Sequence, residues 1–116
     1  MANPKKAEFD VYLGQTVTAK ITFDVVANTE RATGQRLVTA VQQGALSMTE
    51  LQQIVLHAGK QRVGGLTLKG VMTYLQHEEN RGLYLKVIEA LAGFFEWMVS
   101  PHEPEGDGKE DAEGEA

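Results

Sequence analysis

The side chains best suited to chemistry in this sequence are its three histidines, His57, His77 and His102. His77 is followed by Glu78 and Glu79, residue types that can bind a metal ion. Adjacent residues on a helix point about 100° apart, so these three side chains would not converge on one ion. Neither a HExxH motif nor a second histidine four residues away accompanies them. The pattern favours a solvated helix end and predicts no metal site.

Two further segments match phosphate-binding or catalytic motifs only in part. Gly64-Gly65 in "KQRVGG" lacks the spacing of the GxxxxGK[ST] phosphate loop, so we interpret it as a helix stop. Ser47 has no histidine and aspartate that the sequence places beside it, and it fits a helix N-cap. The sequence therefore predicts no catalytic residue, no cofactor site and no enzyme.

Length and composition limit the class of protein. A chain of 116 residues accommodates one domain, and 42% hydrophobic with 23% charged residues is ordinary for a globular protein. The sequence contains no Cys, which excludes disulfides and thiolate metal sites. No apolar run approaches the roughly 20 residues that span a bilayer, and the N-terminal residues lack the apolar region of a signal peptide. We expect a cytoplasmic protein with no membrane partner.

Charge is distributed unevenly along the chain. Residues 101–116 hold seven acidic residues and one basic residue, whereas residues 1–100 hold nine acidic and ten basic residues. The first part is therefore nearly neutral and lacks the basic field that nucleic-acid binding requires, which disfavours a DNA-binding regulator. The last part has almost no apolar side chains to bury, so we predict that it is disordered.

Hydrophobic periodicity predicts an α+β fold that is mostly α. Alternating apolar residues predict a β-hairpin over about 8–23, with a two-residue type II′ turn at Gly14-Gln15 and with Phe23 as its last inward residue. Apolar residues at helical spacing predict about four to five helices over about 25–99. The hairpin would pack on this small bundle in a single domain, residues 1–100, followed by the acidic tail, residues 101–116.

Local signals set the predicted helix boundaries. Short polar side chains accept hydrogen bonds from the first turn of a helix, and glycines end helices. The predicted boundaries are an N-cap at Asp24, stops at Gly34 and Gly44, a capping box of Ser47 and Glu50, a stop at Gly64-Gly65, an N-cap at Thr67, and a polar break at Gly82. The last helix is predicted from about Leu83 to Val99.

The last two helices have predicted apolar faces. The fourth would bury Leu68, Val71, Met72 and Leu75, and the last would bury Tyr84, Val87, Ile88, Leu91, Phe95 and Met98, with Leu83, Phe94 and Trp97 partly outside the stripe. A helix this apolar is deeply buried or shared with a partner. The aromatic cluster Phe94, Phe95, Trp97 and Met98 is therefore either the end of the core or a surface for another chain, since aromatics and Met are enriched in interfaces.

The order of these segments, rather than any one of them, resembles a known family. The residues concerned are Asn3, Pro4 and Glu8, then Phe23, Asn28, Glu30 and Gly34, then Gly44, Ser47, Leu51 and Gly59, the segment LTLKGVMTYLQ, and Phe94 and Phe95. Over roughly residues 3–97 the chain is similar to the tail assembly chaperones of siphophage-like particles, a family that includes a gene transfer agent member.

The resemblance implies a non-enzymatic protein that coats the tape-measure protein before the tail tube polymerises, and that is absent from the finished particle. It implies the tape-measure protein as partner, the tail tube protein as a further partner, self-association, and the cytoplasm of a bacterial host. In many phages the gene also gives a longer product by ribosomal frameshifting. The alternative function is a structural tail protein, either a tube subunit or a head–tail joining subunit.

A chaperone for a long apolar helical client needs exposed apolar surface, and a neighbouring acidic tail would keep that surface soluble. We therefore expect the last helix to bind the partner. The predicted partner-binding residues are Leu91, Phe94, Phe95, Trp97 and Met98. The unpaired edge of the hairpin is a second candidate, because such an edge can recruit a strand of another chain.

Overall fold

The computed structural model describes residues 7–100, which form a two-stranded antiparallel sheet followed by five α-helices. In chain order these are β1 Glu8–Tyr12, β2 Thr16–Lys20, α1 Phe23–Thr33, α2 Leu37–Gln43, α3 Met48–Gly59, α4 Leu68–Tyr74 and α5 Leu83–Val99. A short 3-10 turn, Glu78–Asn80, connects α4 to α5. The predicted α+β, mostly helical class with an N-terminal hairpin is confirmed. The predicted disordered tail, residues 101–116, lies outside the described residues.

The hairpin turn is one residue longer than predicted. Tyr12 pairs with Thr16, so residues 13–15 form the turn, and the predicted two-residue type II′ turn is wrong. Leu13 is buried but lies outside the ladder, and its N–H donates to the Gln15 carbonyl at 2.9 Å. Gly14 does have a positive φ, 90°, which a residue with a side chain rarely adopts. The alternation itself is as predicted, with buried Phe9, Val11, Leu13, Ala19 and Ile21.

Helix α1 begins earlier than predicted, and this changes the position of Phe23. The N-cap is Thr22, whose hydroxyl accepts a hydrogen bond from the Val25 N–H at 3.2 Å, so the predicted cap at Asp24 is wrong. Phe23 is consequently the first residue of the helix rather than an inward strand residue, and 57% of it is exposed. Gly34 ends α1 with a φ of 72°, as predicted.

The next two helices have the predicted caps. Gly44 ends α2 in the left-handed conformation, and Ser47 begins α3 with a capping box. In that box the Glu50 N–H donates to the Ser47 hydroxyl at 3.0 Å, and the Ser47 N–H donates to the Glu50 carboxylate at 2.7 Å. Helix α2 has no cap of its own, but Glu30 of α1 accepts a hydrogen bond from the Leu37 N–H at 2.9 Å.

Helix α3 ends at Gly59, well before the predicted stop at Gly64-Gly65. Leu13 and Leu66 converge at Gly59, where an added Cβ would lie 2.7 Å and 2.8 Å from their side-chain atoms. The close approach of the hairpin and of the loop after α3 therefore requires glycine at this point. The predicted inward face of α3 is buried, with Leu51, Ile54, Val55 and Ala58 in the core.

The predicted face of α4 is only partly correct. Thr67 caps this helix as predicted, but Val71 is its one buried residue, and Leu68 and Met72 are 36% and 45% exposed. The helix has only seven residues and packs mainly on α3, and the predicted Leu75, its C-cap residue, is half-buried against the core.

Helix α5 has the predicted ends but a different inward face. Its buried residues are Leu83, Val87, Ala90, Leu91 and Phe94. Helix α1 packs against α3, and α5 packs against β1 and α2, so this face of α5 closes the core between the hairpin and α2. Phe95 and Met98, which were predicted to be inside, lie outside this buried set.

Candidate partner-binding surface

Each of the two histidines within residues 7–100 contacts a neighbouring side chain. The His77 ring stacks on Tyr12 at a centroid distance of 4.3 Å, and its Nδ1 accepts a hydrogen bond from the Glu79 N–H at 3.1 Å. His57 lies 3.1 Å from the side-chain oxygen of Gln53. Burial, and then the nearby Lys60 charge, lower the pKa of His57 from its usual 6.5. Within residues 7–100 no group of three His, Asp or Glu side chains is placed to hold a metal ion. His102 lies outside the described residues.

A surface depression at the α2–α3 junction offers no arrangement for catalysis. It has a volume of about 520 Å³ and is lined in part by Arg36, Ser47 and Glu50. Ser47 and Glu50 are already hydrogen-bonded to each other's backbone in the capping box. No histidine lines this depression, so Ser47 has no base beside it.

The predicted partner-binding residues divide between the core and the surface. Leu91 and Phe94 are 0% and 2% exposed, so they belong to the core and cannot contact another chain directly. Phe95 and Trp97 are half-buried, and Met98 is 47% exposed. Phe94 therefore belongs to the end of the core, whereas a partner surface formed by Phe95, Trp97 and Met98 stays a prediction.

The structure adds Phe23 to this cluster from the other end of the chain. Its ring lies edge-to-face on Phe94 at a centroid distance of 5.2 Å and lies 6.3 Å from the ring of Trp97. Phe94 also meets Phe95 at 5.5 Å, and is therefore the buried centre of the group. Pairs at these distances contribute about 0.5–1.5 kcal/mol beyond their buried area. We call Phe23, Phe95, Trp97, Met98 and Val99 the aromatic end.

The aromatic end combines exposed apolar area with negative charge. Val99 is 77% exposed, and Glu96 is an exposed acidic residue within the same two turns of α5. No basic residue lies in the last turn of α5, so the partial negative charge of its carbonyl end is not compensated there. The seven acidic residues of 101–116 follow directly in the sequence. The surface is suited to an apolar partner whose own charge is positive.

The hairpin edge is the second predicted surface. Within residues 7–100 the sheet contains only β1 and β2, so each strand has one edge that no other strand pairs. Strand β1 packs against α5 and β2 against α3. Asp10 and Lys20 are exposed charged residues on these strands, and charges of this kind hinder edge-to-edge pairing. The aromatic end is therefore the stronger candidate for a partner.

Comparison with known proteins gives no information about this surface. No model of a known protein family matches the chain, no curated protein is similar to it, and no solved structure is similar to it. Among the helices of residues 7–100, none has both the length and the apolar character needed to cross a membrane.

Proposed function

We propose that this protein is a non-enzymatic tail assembly chaperone that binds the tape-measure protein of a siphophage-like particle. The observation that carries the proposal is the aromatic end, where Phe23, Trp97 and Met98 present apolar area at the end of α5, the helix that the acidic residues 101–116 follow in the sequence. The order of sequence segments described above supports it independently. We place this activity in the cytoplasm of the bacterial host.

Much of the aromatic end is already formed without a client. Met is flexible and polarisable and adapts to irregular apolar partners, while half-buried aromatics keep most of their geometry without the client. The buried ring of Phe94 contacts the rings of Phe23 and Trp97. These contacts fix the two rings before the client binds. A preformed site loses less side-chain entropy on binding.

The second candidate is a structural tail protein, either a tube or a head–tail joining subunit. The hairpin supports it, because its unpaired edges could join strands of neighbouring subunits into a continuous sheet. Two strands of five residues are a small contribution to such a sheet. We therefore favour the chaperone.

The test is co-expression with the tape-measure protein encoded in the same genome. We expect the wild-type chain to keep this client soluble and to co-purify with it. The double substitution Phe23→Ser with Met98→Ser should reduce co-purification strongly, because it removes the two residues of the aromatic end that are 57% and 47% exposed.

The matched control is Met48→Ser with Met72→Ser, which removes two residues of similar exposure, 59% and 45%, outside the aromatic end. Its co-purification should equal that of the wild type. An insoluble client in the presence of the wild-type chain would reject the chaperone function. Equal losses in both double variants, with unchanged circular dichroism, would reject the aromatic end as the binding surface.

A further inference from the structure

A second apolar stripe runs along α5 beside its buried face, with Ile88 and Phe95 packed against the edge of the core. It consists of Leu85, Ile88, Ala92, Phe95 and Val99, which we call the outer seam. With successive residues 100° apart, the outer seam is centred roughly 140° around the helix from the buried face. Leu85 and Val99 are 63% and 77% exposed, and the other three are half-buried. The stripe is therefore exposed at its two ends and partly exposed between them.

The spacing of the outer seam is that of a coiled-coil face. Its residues follow one another at intervals of three, four, three and four, which is the a and d pattern of two heptads. From residue 85 to residue 99 this face is about 21 Å long at a rise of 1.5 Å per residue. Ala92 at its centre is the smallest residue of the seam and leaves room for a large side chain of a second helix. A helix of about four turns fits along this face.

The charge beside the outer seam is negative. Glu89 and Glu96 each follow a seam residue and are exposed, in the positions that flank a coiled-coil contact. On the same side of α5, Glu8 and Asp10 of β1 line a depression of about 390 Å³ with Glu89 and a single base, Lys86. A helix lying in the outer seam would therefore meet more acidic than basic groups along this flank.

This charge favours one of the possible occupants. In an antiparallel pair of two copies, the glutamates of one α5 would face those of the other, and like charges placed together across an interface are costly. In a parallel pair they would face the apolar Leu91 and Met98, which offer no opposite charge. A partner helix with Lys or Arg on the corresponding flank meets the same glutamates favourably.

We propose that the outer seam of α5 binds one amphipathic helix of a partner, with large apolar residues in an a and d pattern and with basic residues on the flank facing Glu89 and Glu96. This deepens the proposed function and rests on it for the statement that the helix belongs to the tape-measure protein. The seam shares Phe95 and Val99 with the aromatic end and extends that surface toward the start of α5.

Two synthetic peptides test the specificity without the tape-measure protein. Each is a capped, fluorescently labelled helix of about three heptads with Leu at a and d; one carries Lys at all flanking positions and the other carries Glu. Like charges on the flanks keep each peptide from pairing with itself. By fluorescence anisotropy with the full chain, we expect the Lys peptide to bind about tenfold or more tightly than the Glu peptide, and to weaken as salt is added.

Three variants of the full chain complete the test. Glu89→Lys with Glu96→Lys should reverse the preference, so that the Glu peptide binds more tightly. Leu85→Ser with Val99→Ser should abolish binding of the Lys peptide, and the control Met48→Ser with Met72→Ser should leave it unchanged. All six positions are exposed, and circular dichroism with the thermal midpoint verifies folding.

Several results would overturn the inference. These are failure of the wild-type chain to bind either peptide, equal binding of both, no reversal in the Glu89 and Glu96 variant, or wild-type binding by the Leu85 and Val99 variant. A wild-type dimer in light scattering that Leu85→Ser with Val99→Ser converts to a monomer would also overturn it, because a second copy would then occupy the seam. A soluble tape-measure complex without peptide binding rejects the seam alone; peptide binding with an insoluble client rejects the chaperone function alone.

Discussion

At the scale of single residues, Asn80 joins three parts of the fold. Its side-chain oxygen accepts a hydrogen bond from the Tyr12 N–H at 2.8 Å, and its amide donates to the carbonyls of Tyr12 and Tyr74 at 2.9 Å and 2.8 Å. The residue is 7% exposed, so water cannot easily replace these bonds. The 3-10 turn, the hairpin and the end of α4 thus depend on one side chain.

We predict that Asn80→Ala destabilises the protein by about 2–4 kcal/mol, because it leaves partly buried backbone groups without partners. Urea unfolding followed by circular dichroism measures this free energy. The control is Gln76→Ala, since the exposed Gln76 amide makes one bond, to the carbonyl of Met72 in the preceding turn. An Asn80 variant as stable as the Gln76 variant would contradict the proposed role.

His57 gives a prediction for the dependence of stability on pH. Burial and the Lys60 charge lower its pKa in the folded chain below 6.5, so the unfolded chain binds this proton more readily. The neutral His57 ring therefore makes its full contribution to the free energy of unfolding above pH 6.5. That contribution is lost as the pH falls from 6.5 through the lower pKa of the folded chain. We expect the free energy of unfolding to decrease as the pH falls from 6.5 through the folded pKa of His57, and to decrease less in the His57→Gln variant. A titration midpoint for His57 at or above 6.5 by NMR would contradict this.

The sequence did not indicate the roles of Asn80 and Phe23, for two different reasons. Asn80 lies in a polar segment whose pattern indicates only a break between two helices, and its hydrogen-bond partner Tyr12 is 68 residues away in the sequence. Phe23 continues the alternating pattern of the hairpin, but Thr22 begins a helix and turns it outward. A preference for Thr22 over Asp24 as N-cap would have moved Phe23 to the surface, whereas nothing local indicates the contacts of Asn80.

At the scale of elements, most helix ends were predictable because their signals are local. Gly34, Gly44, the Ser47–Glu50 capping box and Thr67 each act within one turn, and the structure has all four. The end of α3 at Gly59 was not predicted, and the need for glycine there comes from Leu13 and Leu66 of other segments, which no local signal shows. Periodicity alone determined neither the inward face of α4 nor that of α5.

Helix α5 was predicted with correct ends and a displaced inward face. It is apolar around most of its circumference, so several stripes fit the helical period equally well. The choice between them is made by β1 and α2, which pack on the side that carries Leu91 and Phe94. Because α5 is apolar around most of its circumference, it also carries the outer seam beside its buried face.

We predict different costs for truncating the two adjacent phenylalanines of α5. Phe94→Ala should destabilise the protein by about 3–5 kcal/mol, because it creates a cavity at the buried centre of the aromatic group. Phe95→Ala should cost clearly less, since Phe95 is half-buried. Chemical denaturation of both variants gives the two free energies. Equal costs, or a larger cost for Phe95, would mean that the inward face of α5 is assigned incorrectly.

At the scale of the whole molecule, exposed apolar surface and acidic charge are adjacent in sequence. The aromatic end closes α5, and the net charge of residues 101–116 is −6 while that of residues 1–100 is +1. Negative charge tethered at an apolar surface opposes association between copies through mutual repulsion. A client with basic flanks is not opposed in this way.

We predict that neutralising the tail promotes self-association. Replacing its seven acidic residues by Gln and Asn removes seven negative charges from a formal −5 and leaves +2. Light scattering at low salt should then show larger species than the wild type forms at the same concentration. The control has the same tail residues in shuffled order and should behave like the wild type. Aggregation of the shuffled chain as well would show that order, not charge, matters.

The most direct measurement is the number of copies of this chain per tape-measure protein, counted by quantitative mass spectrometry at two stages. One sample is the complex purified on the tape-measure protein from producing cells before tube assembly, and the other is the finished particle. An assembly chaperone predicts several copies in the first sample and none in the second. Stoichiometric copies in the finished particle would contradict a chaperone and support the tube or joining subunit.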